Sequence, residues 1–415
     1  MSLRSPGPRN ATPTTSPTPS GTTTAGILRA ASRLALASSL VVASPATADE
    51  VVGWGEERWI AEGDVEWTRE AGQPPSGVEL GANGTVVLRE PKLEHGTIEL
   101  EMMLSGQRAF AYVQFRCEGG TPGRAGGEEI YFRSHKTQAP DALQYTSAYP
   151  GGSNWQLYHG EGGTAAVDLP SDTWIPVRLR FGDRTLEVEV GRDDVADPAG
   201  PPALRAHLER PPAAGAVALR GFVPRGSGAA YAMRVRNLRI SSEPPELEPA
   251  APVAEVSGAV RRWRLSPAVA VAAEAPELLE AIPAGLAGGA DEVVEARPDG
   301  LVVVLAHRDP PPDARRWAAV GEVDLVAQRA GRRRLDLGYS DAVSVFLDGE
   351  LLFAADDSYS YDAPRRQGLV GLHQATLYLP LKPGRNRLRV LVADRFGGWA
   401  LQARIEDREG LDVEP

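Results

Sequence analysis

Apolar and polar positions exchange every second residue through most of the chain, the period of a β-strand with one covered face. Such runs fall at 84–90, 96–104, 110–117, 128–134, 173–181, 184–191 and 230–240. They resume at 301–306, 318–328, 333–338, 343–353, 376–381, 387–393 and 399–406. Helical spacing shows only over 275–287, where Pro283 interrupts it. Asp348-Gly349, between Val345-Phe346-Leu347 and Leu351-Leu352-Phe353, predicts a hairpin with a type I′ turn. The two groups of strands are separated by an acidic, proline-rich stretch. The pattern predicts an all-β chain of two β-sandwich (jelly-roll) domains, 49–243 and 258–410, joined by a linker at 244–257.

The first group has an informative second face. Ile98, Leu100, Met102 and Leu104 point one way, Glu99 and Glu101 the other. Ala111, Val113, Phe115 and Cys117 oppose Tyr112, Gln114 and Arg116; Ile130 and Phe132 oppose Glu129, Tyr131, Arg133 and His135. If these strands are neighbours, one sheet carries an apolar inner face and an outer face of Tyr, Gln, Arg, His and carboxylates. Planar donors and acceptors match sugar diols, and aromatic rings cover sugar C–H faces. The structural alternative is an ion-pair network of Glu99 and Glu101 with Arg116 and Arg133.

The first 48 residues read as export signal rather than fold. Arg29 and Arg33 precede an apolar run from Leu34 to Val42, and Ala46-Thr47-Ala48 supplies an A-x-A cleavage site. The run is short of the roughly 20 residues of a membrane span, and no later stretch reaches that length. The expected location is secreted or periplasmic, after cleavage near Ala48. The chain of 415 residues has a net charge of −11; losing the four arginines of the signal takes it to −15. That acidity excludes the basic footprint of a nucleic-acid binder. The basic residues are arginines except for three lysines. A single cysteine, Cys117, excludes an internal disulfide and a multi-cysteine zinc site; its place in an apolar alternation predicts a buried thiol.

Glu129-Ile130-Tyr131-Phe132-Arg133-Ser134-His135, Pro140-Asp141-Ala142-Leu143-Gln144-Tyr145 and Asn154-Trp155-Gln156-Leu157-Tyr158, with Gly96 to Glu101 and Gln114-Phe115-Arg116 before them, carry a resemblance. Residues 50–243 resemble the concanavalin A-like lectin/glucanase superfamily, in its LamG-like and 3-keto-disaccharide hydrolase-like branch. The resemblance implies a curved jelly roll whose concave face binds carbohydrate. Gly338-Tyr339-Ser340-Asp341, Leu377 to Leu381, Gly384-Arg385-Asn386 and Phe396-Gly397-Gly398-Trp399 are similar to galactose-binding-like sandwiches, which implies an accessory sugar-binding or structural role.

The ligand-binding candidates are Tyr112, Gln114, Arg116, Tyr131, Arg133, His135, Gln144, Tyr145, Trp155 and Tyr158. The catalytic candidates are Glu99, Glu101 and His135. Two carboxyls on one strand face suit a glycosidase. Glucanases of the resembled group, however, carry Glu-x-Asp-x-x-Glu, and Leu104 stands where the last glutamate belongs. Asp356, Asp357 and Asp362 form an oxygen-rich loop of a kind that holds Ca²⁺ or sugar hydroxyls; it lacks EF-hand spacing, and a solvated loop is the plainer reading. No G-x-S-x-G elbow, P-loop or zinc-ligand spacing is present. The sequence thus points to an exported carbohydrate-binding protein. Its alternatives are a glycoside-acting enzyme of keto-sugar hydrolase or lyase type at the same face, and a structural envelope module without ligand.

Overall fold

The computed structural model of the chain describes residues 50–118, 126–150, 152, 154–191, 201–272, 279–286, 288, 292–361 and 367–415. The segment read as a signal peptide and Asp362 lie outside them. The first half builds β1 Glu50–Val51, β2 Trp59–Glu62, β3 Val65–Thr68, β4 Gly77–Leu80, β5 Thr85–Leu88, β6 Gly96–Leu104, β7 Phe110–Cys117 and β8 Gly127–Phe132. It continues with β9 Leu143–Ala148, β10 Thr164–Ala165, β11 Trp174–Gly182, β12 Thr185–Val190, β13 Leu204–His207, β14 Ala216–Phe222 and β15 Met233–Ser241. These strands form two antiparallel sheets. The front sheet runs β10-β9-β8-β7-β14-β5-β2. The back sheet runs β13-β12-β11-β6-β15-β4-β3, with β1 also on β15.

Alternation explains the core between them. Ile98, Leu100, Met102 and Leu104 of β6 pack in one cluster with Ala111, Val113 and Phe115 of β7 and Ile130 and Phe132 of β8. Each fully buried aliphatic or aromatic side chain contributes about 1.5–3 kcal/mol.

Two expectations are corrected here. First, β6 belongs to the back sheet, so Glu99 and Glu101 do not share a face with Tyr112 or Tyr131. They pair across the outside of the back sheet instead. Arg178 Nε lies 2.5 Å from Glu99, and Arg236 Nε lies 2.6 Å from Glu101. Neither Arg116 nor Arg133 is their partner. Such half-exposed pairs are worth about 0–1 kcal/mol each. Secondly, β7 carries a bulge. Gln114 faces Ala218 and Cys117 faces Ala216, so Phe115 and Arg116 together oppose Val217. Arg116 takes φ 52°, and the strict alternation fails there. Arg116 turns inward, its Nε donating to Glu94 O at 2.7 Å and its Nη1 to Asp183 O at 3.0 Å. Cys117 crosses to the outer side, packed with Val87, Ala216 and Ala218. Burial pushes its thiol pKa up to about 12.

The second half builds β16 Arg262–Leu265, β17 Val269–Ala270, β18 Glu292–Glu295, β19 Leu301–Val303, β20 Trp317–Ala327 and β21 Gly331–Ser340. Then come β22 Ala342–Leu347, β23 Glu350–Asp356, β24 Ala375–Leu381, β25 Gly384–Asp394, β26 Ala400–Ile405 and β27 Leu411–Glu414. One sheet runs β18-β16-β20-β25-β22-β23, with β17 and β27 on β20; the other runs β19-β26-β21-β24. Trp263 and Trp399 are fully buried in the core between them. The β22–β23 hairpin turns as the sequence requires, with Asp348 at φ 51° and Gly349 at φ 85°. Of the helical stretch, the described residues hold a single 3₁₀ turn, Ala284–Leu286.

Between β15 and β16 the chain runs along the first sandwich. Ala250 N donates to Thr185 Oγ1 at 3.1 Å, and Arg205 pairs with Glu248 at 2.8 Å. The two sandwiches also touch directly: Leu301, Val303, Val370 and Ala400 join the first core. Arg297 of the second half pairs with Glu209 of the first at 3.3 Å. Ala46–Pro415 forms one compact unit. Among the described residues no helix is long and apolar enough to cross a membrane.

Candidate functional site

The outer face of the front sheet is ordered by register. Side chains directly opposite on neighbouring strands share a face. Glu62, Thr85, Arg220, Tyr112, Tyr131 and Gln144 are successive cross-strand partners on β2, β5, β14, β7, β8 and β9. They form one polar and aromatic row across the sheet. A second row beside it runs Ile60, Val87, Ala218, Gln114, Glu129, Thr146. Phe222 and Phe110 are partners at the other side of the polar row, their rings 5.8 Å apart.

The contacts along the first row are planar on planar. Arg220 lies 5.0 Å from the ring centre of Tyr112, which stacks on Tyr131 at 5.3 Å. Tyr131 Oη donates to Gln144 Oε1 at 2.5 Å. Arg133 Nη2 donates to the same oxygen at 2.5 Å, and its guanidinium lies 4.2 Å from the Tyr131 ring centre. In the second row Gln114 Nε2 donates to Glu129 Oε2 at 2.6 Å. Glu129 is buried, and desolvation raises its carboxyl pKa against the opposing pull of Arg220 and Gln114. Arg220 and Tyr112 are half-buried, whereas Tyr131, Arg133, Gln144, Gln114 and Glu129 are buried. The open part of the row is therefore Glu62, Arg220 and Tyr112; the buried members beside them stiffen it.

One end of the row is roofed by the 3₁₀ turn Trp155–Leu157. Gln144 Nε2 donates to Trp155 O at 2.6 Å and also to Tyr158 O. The same turn is bound from the other side by the second sandwich. Gln156 N donates to Gly397 O at 3.0 Å, Val370 N to Gln156 O at 3.1 Å, and Ser340 Oγ to Gln156 Oε1 at 2.8 Å. His159 Nε2 lies 2.8 Å from Val370 O. Trp155 meets Tyr359 edge-to-face at 5.3 Å and Phe396 at 6.5 Å.

The structure divides the candidate residues. Tyr112, Gln114, Tyr131, Arg133 and Gln144 share the outer face, with Trp155 at its end. Arg116 does not, because of the bulge. Tyr145 and Tyr158 are corrected to the inner core, ring to ring at 5.3 Å. Tyr145 Oη donates to Glu128 at 2.8 Å and accepts Glu209 N at 2.7 Å. Glu99 and Glu101 lie on the other sheet. His135 packs edge-on against Phe110 at 5.2 Å. Burial, with the charges of Arg108, Lys136 and Arg133, pushes its pKa down to about 4, so the ring is neutral and a poor base near pH 7. Asp356 Oδ1 accepts Ser358 N at 2.8 Å and Asp357 Oδ2 accepts Gln374 Nε2 at 3.1 Å. Among the described residues no group of three or more His, Cys, Asp or Glu is placed to hold a metal.

Sequence reasoning missed Arg220. Its strand opens Ala-Val-Ala-Leu, a continuous apolar run with no alternation to announce a strand face. It singled out the loop of Tyr359 and the Phe396-Gly397-Gly398-Trp399 motif but did not place them at this face, which they reach only through the packing of one sandwich on the other. Behind Phe396 lie two buried carboxyls, Asp341 and Asp394. Asp341 Oδ2 accepts the backbone N–H groups of Arg395 and Phe396, yet burial still holds both carboxyls above their usual range.

No family profile and no curated protein matches the chain. Among solved structures, the carbohydrate-binding module CBM66 from Bacillus subtilis aligns over 44% of this chain and 95% of its own, at 10% identity and a TM-score of 0.31. A β-glucanase from Bacillus licheniformis aligns over 46% of this chain and 94% of its own, at 12% identity and a TM-score of 0.31. The exoplasmic/lumenal domain of VIP36, in a form bound to Ca²⁺ and Man3GlcNAc, aligns over 46% of this chain and 86% of its own, at 15% identity and a TM-score of 0.33.

Proposed function

We propose that this chain is an exported carbohydrate-binding protein that recognises a glycan on the outer face of its front sheet. One observation carries the reading: the transverse row in which Arg220 and Tyr112 lie open above the buried Tyr131, Arg133 and Gln144. A guanidinium offers paired donors to vicinal hydroxyls, and Tyr112, its ring held between Arg220 and Tyr131, offers its edge and hydroxyl. The buried members hold both in place before ligand arrives, which limits the ordering cost of binding. The test is a glycan array probed with the full chain and with Tyr112→Ala and Arg220→Ala. Binding by the wild type that falls about tenfold or more in each variant is expected; null profiles for all three proteins would sink the idea.

Catalysis at the same face is the second reading, and Glu129 favours it. A buried carboxyl with a raised pKa is the usual form of a general acid. Release of reducing or keto sugar by the wild type, lost in Glu129→Gln, would replace binding with catalysis.

A further inference from the structure

We propose that the glycan site is completed by the second sandwich, whose loop Asp356–Tyr361 and Phe396 form an aromatic wall that stacks on a neutral sugar ring of the same ligand. The inference rests on the reading of the front sheet as a glycan-binding face, and it assigns the second sandwich a part in the site itself.

The wall is built from both halves. Tyr359 stands perpendicular to Trp155, with interplanar angle 89°, and Phe396 closes the triangle at 6.3 Å from Tyr359. Further along the loop, Tyr361 lies under the Arg108 guanidinium, 3.8 Å from ring centre to Cζ. Arg108 also reaches Phe110, at 5.9 Å, so one loop of the second sandwich borders the row at two points. Phe396 is 52% exposed and Tyr361 is 64% exposed. Trp155 and Tyr359 are half-buried beside Phe396, and aromatic area left open in this way marks a surface kept for a partner.

The wall is tied to the polar row through buried hydrogen bonds. Gln144, the last member of that row, holds the carbonyl of Trp155, and Gln156, the next residue, is fully buried and bound to the second sandwich. The rings are therefore held by backbone that both sandwiches fix. The charges argue for the ligand's chemistry. Among the described residues, Arg108 beside Tyr361 and Arg395 beside Phe396 are offset by Asp356 and Asp357 of the loop, and a surface of balanced charge suits a neutral pyranose better than a polyanion. Ring faces bind its C–H groups, and the carboxylates and guanidinia at the margin meet its hydroxyls.

The experiment measures affinity of the full chain for a β-glucan, a fructan, a mannan and the polyanion heparin, by calorimetry. The proteins are the wild type, Tyr112→Ala, Tyr359→Ala/Phe396→Ala and Tyr359→Phe. The wild type is expected to bind at least one neutral polymer and to prefer it to heparin. The double variant is expected to bind that polymer about tenfold more weakly, the size of two lost aromatic contacts. Tyr359→Phe keeps the ring and is expected to bind as the wild type does, which a mere folding defect in the double variant would not explain. If the double variant binds like the wild type while Tyr112→Ala does not, the wall is refuted and the front-sheet reading survives. Preference for heparin also refutes the wall. If the wild type binds none of the four polymers, both readings fall.

Discussion

Glu128 and Glu129 are adjacent, both buried, and point to opposite sides of β8. Glu129 faces outward to Gln114, while Glu128 faces the core, held by Tyr145 Oη and by Arg210 N at 3.0 Å. Burial raises the Glu128 pKa from 4.5 to about 7. A carboxyl that binds its proton more tightly when folded stabilises the fold fully below its unfolded pKa. That contribution is lost as pH rises through the folded value. Stability should thus fall between about pH 4.5 and 7 by on the order of 3 kcal/mol from this group alone. Glu128→Gln keeps the shape without the charge. It is expected to melt higher than the wild type at pH 8, with a gap that closes toward pH 5; an equal gap at both pH values would refute this. Alternation made the inward side of β8 legible, and two consecutive glutamates required one to point in. What alternation did not show was the bulge at Arg116: a period-2 reading has no term for an inserted residue, so Arg116 and Cys117 were assigned to each other's faces.

At the scale of elements, the turn Trp155–Leu157 is the joint of the molecule. Gly397 approaches it at φ 106°, and a Cβ there would stand 2.4 Å from Gln156 Oε1 and 2.5 Å from its Cδ. Gln156 has no room to yield, because hydrogen bonds to three segments of the second sandwich hold it. Gly397→Ala therefore adds an unfavourable backbone conformation to a clash, at least about 2 kcal/mol together. The melting temperature is expected to drop by roughly 2.5 °C or more, and an unchanged melt would show that the joint gives way. The long strands β6 and β11 were readable because each has one covered face. The strand β14 was not, since Ala216 to Leu219 are all apolar and buried and the first polar residue, Arg220, comes only after them. The neighbourhood of β6 was misread for another reason: alternation assigns residues to faces within a strand but does not say which strands are adjacent. Glu99 and Glu101 consequently found Arg178 and Arg236 across strands that lie far off in sequence.

The whole molecule folds its two sandwiches against each other, with side chains of the second half inside the first core and the Arg297–Glu209 pair at the same boundary. Such shared packing predicts that the halves lose structure together. Composition also reads differently at this scale. Arginine richness, unremarkable as a count, becomes cross-strand pairing with glutamate outside the back sheet and planar stacking on tyrosine outside the front sheet. The chain's lone sulfhydryl makes the shared fate of the halves measurable. Cys117 is 4% exposed and its thiol is held protonated, so a maleimide can reach it only when the molecule opens. Labelling of the native protein should therefore advance at the pace of unfolding and quicken in step with loss of circular dichroism on heating. Prompt labelling of the folded chain would contradict that burial. The cysteine that bonds to no other cysteine would then serve as an internal clock, with each adduct recording one escape of the front sheet from its native packing.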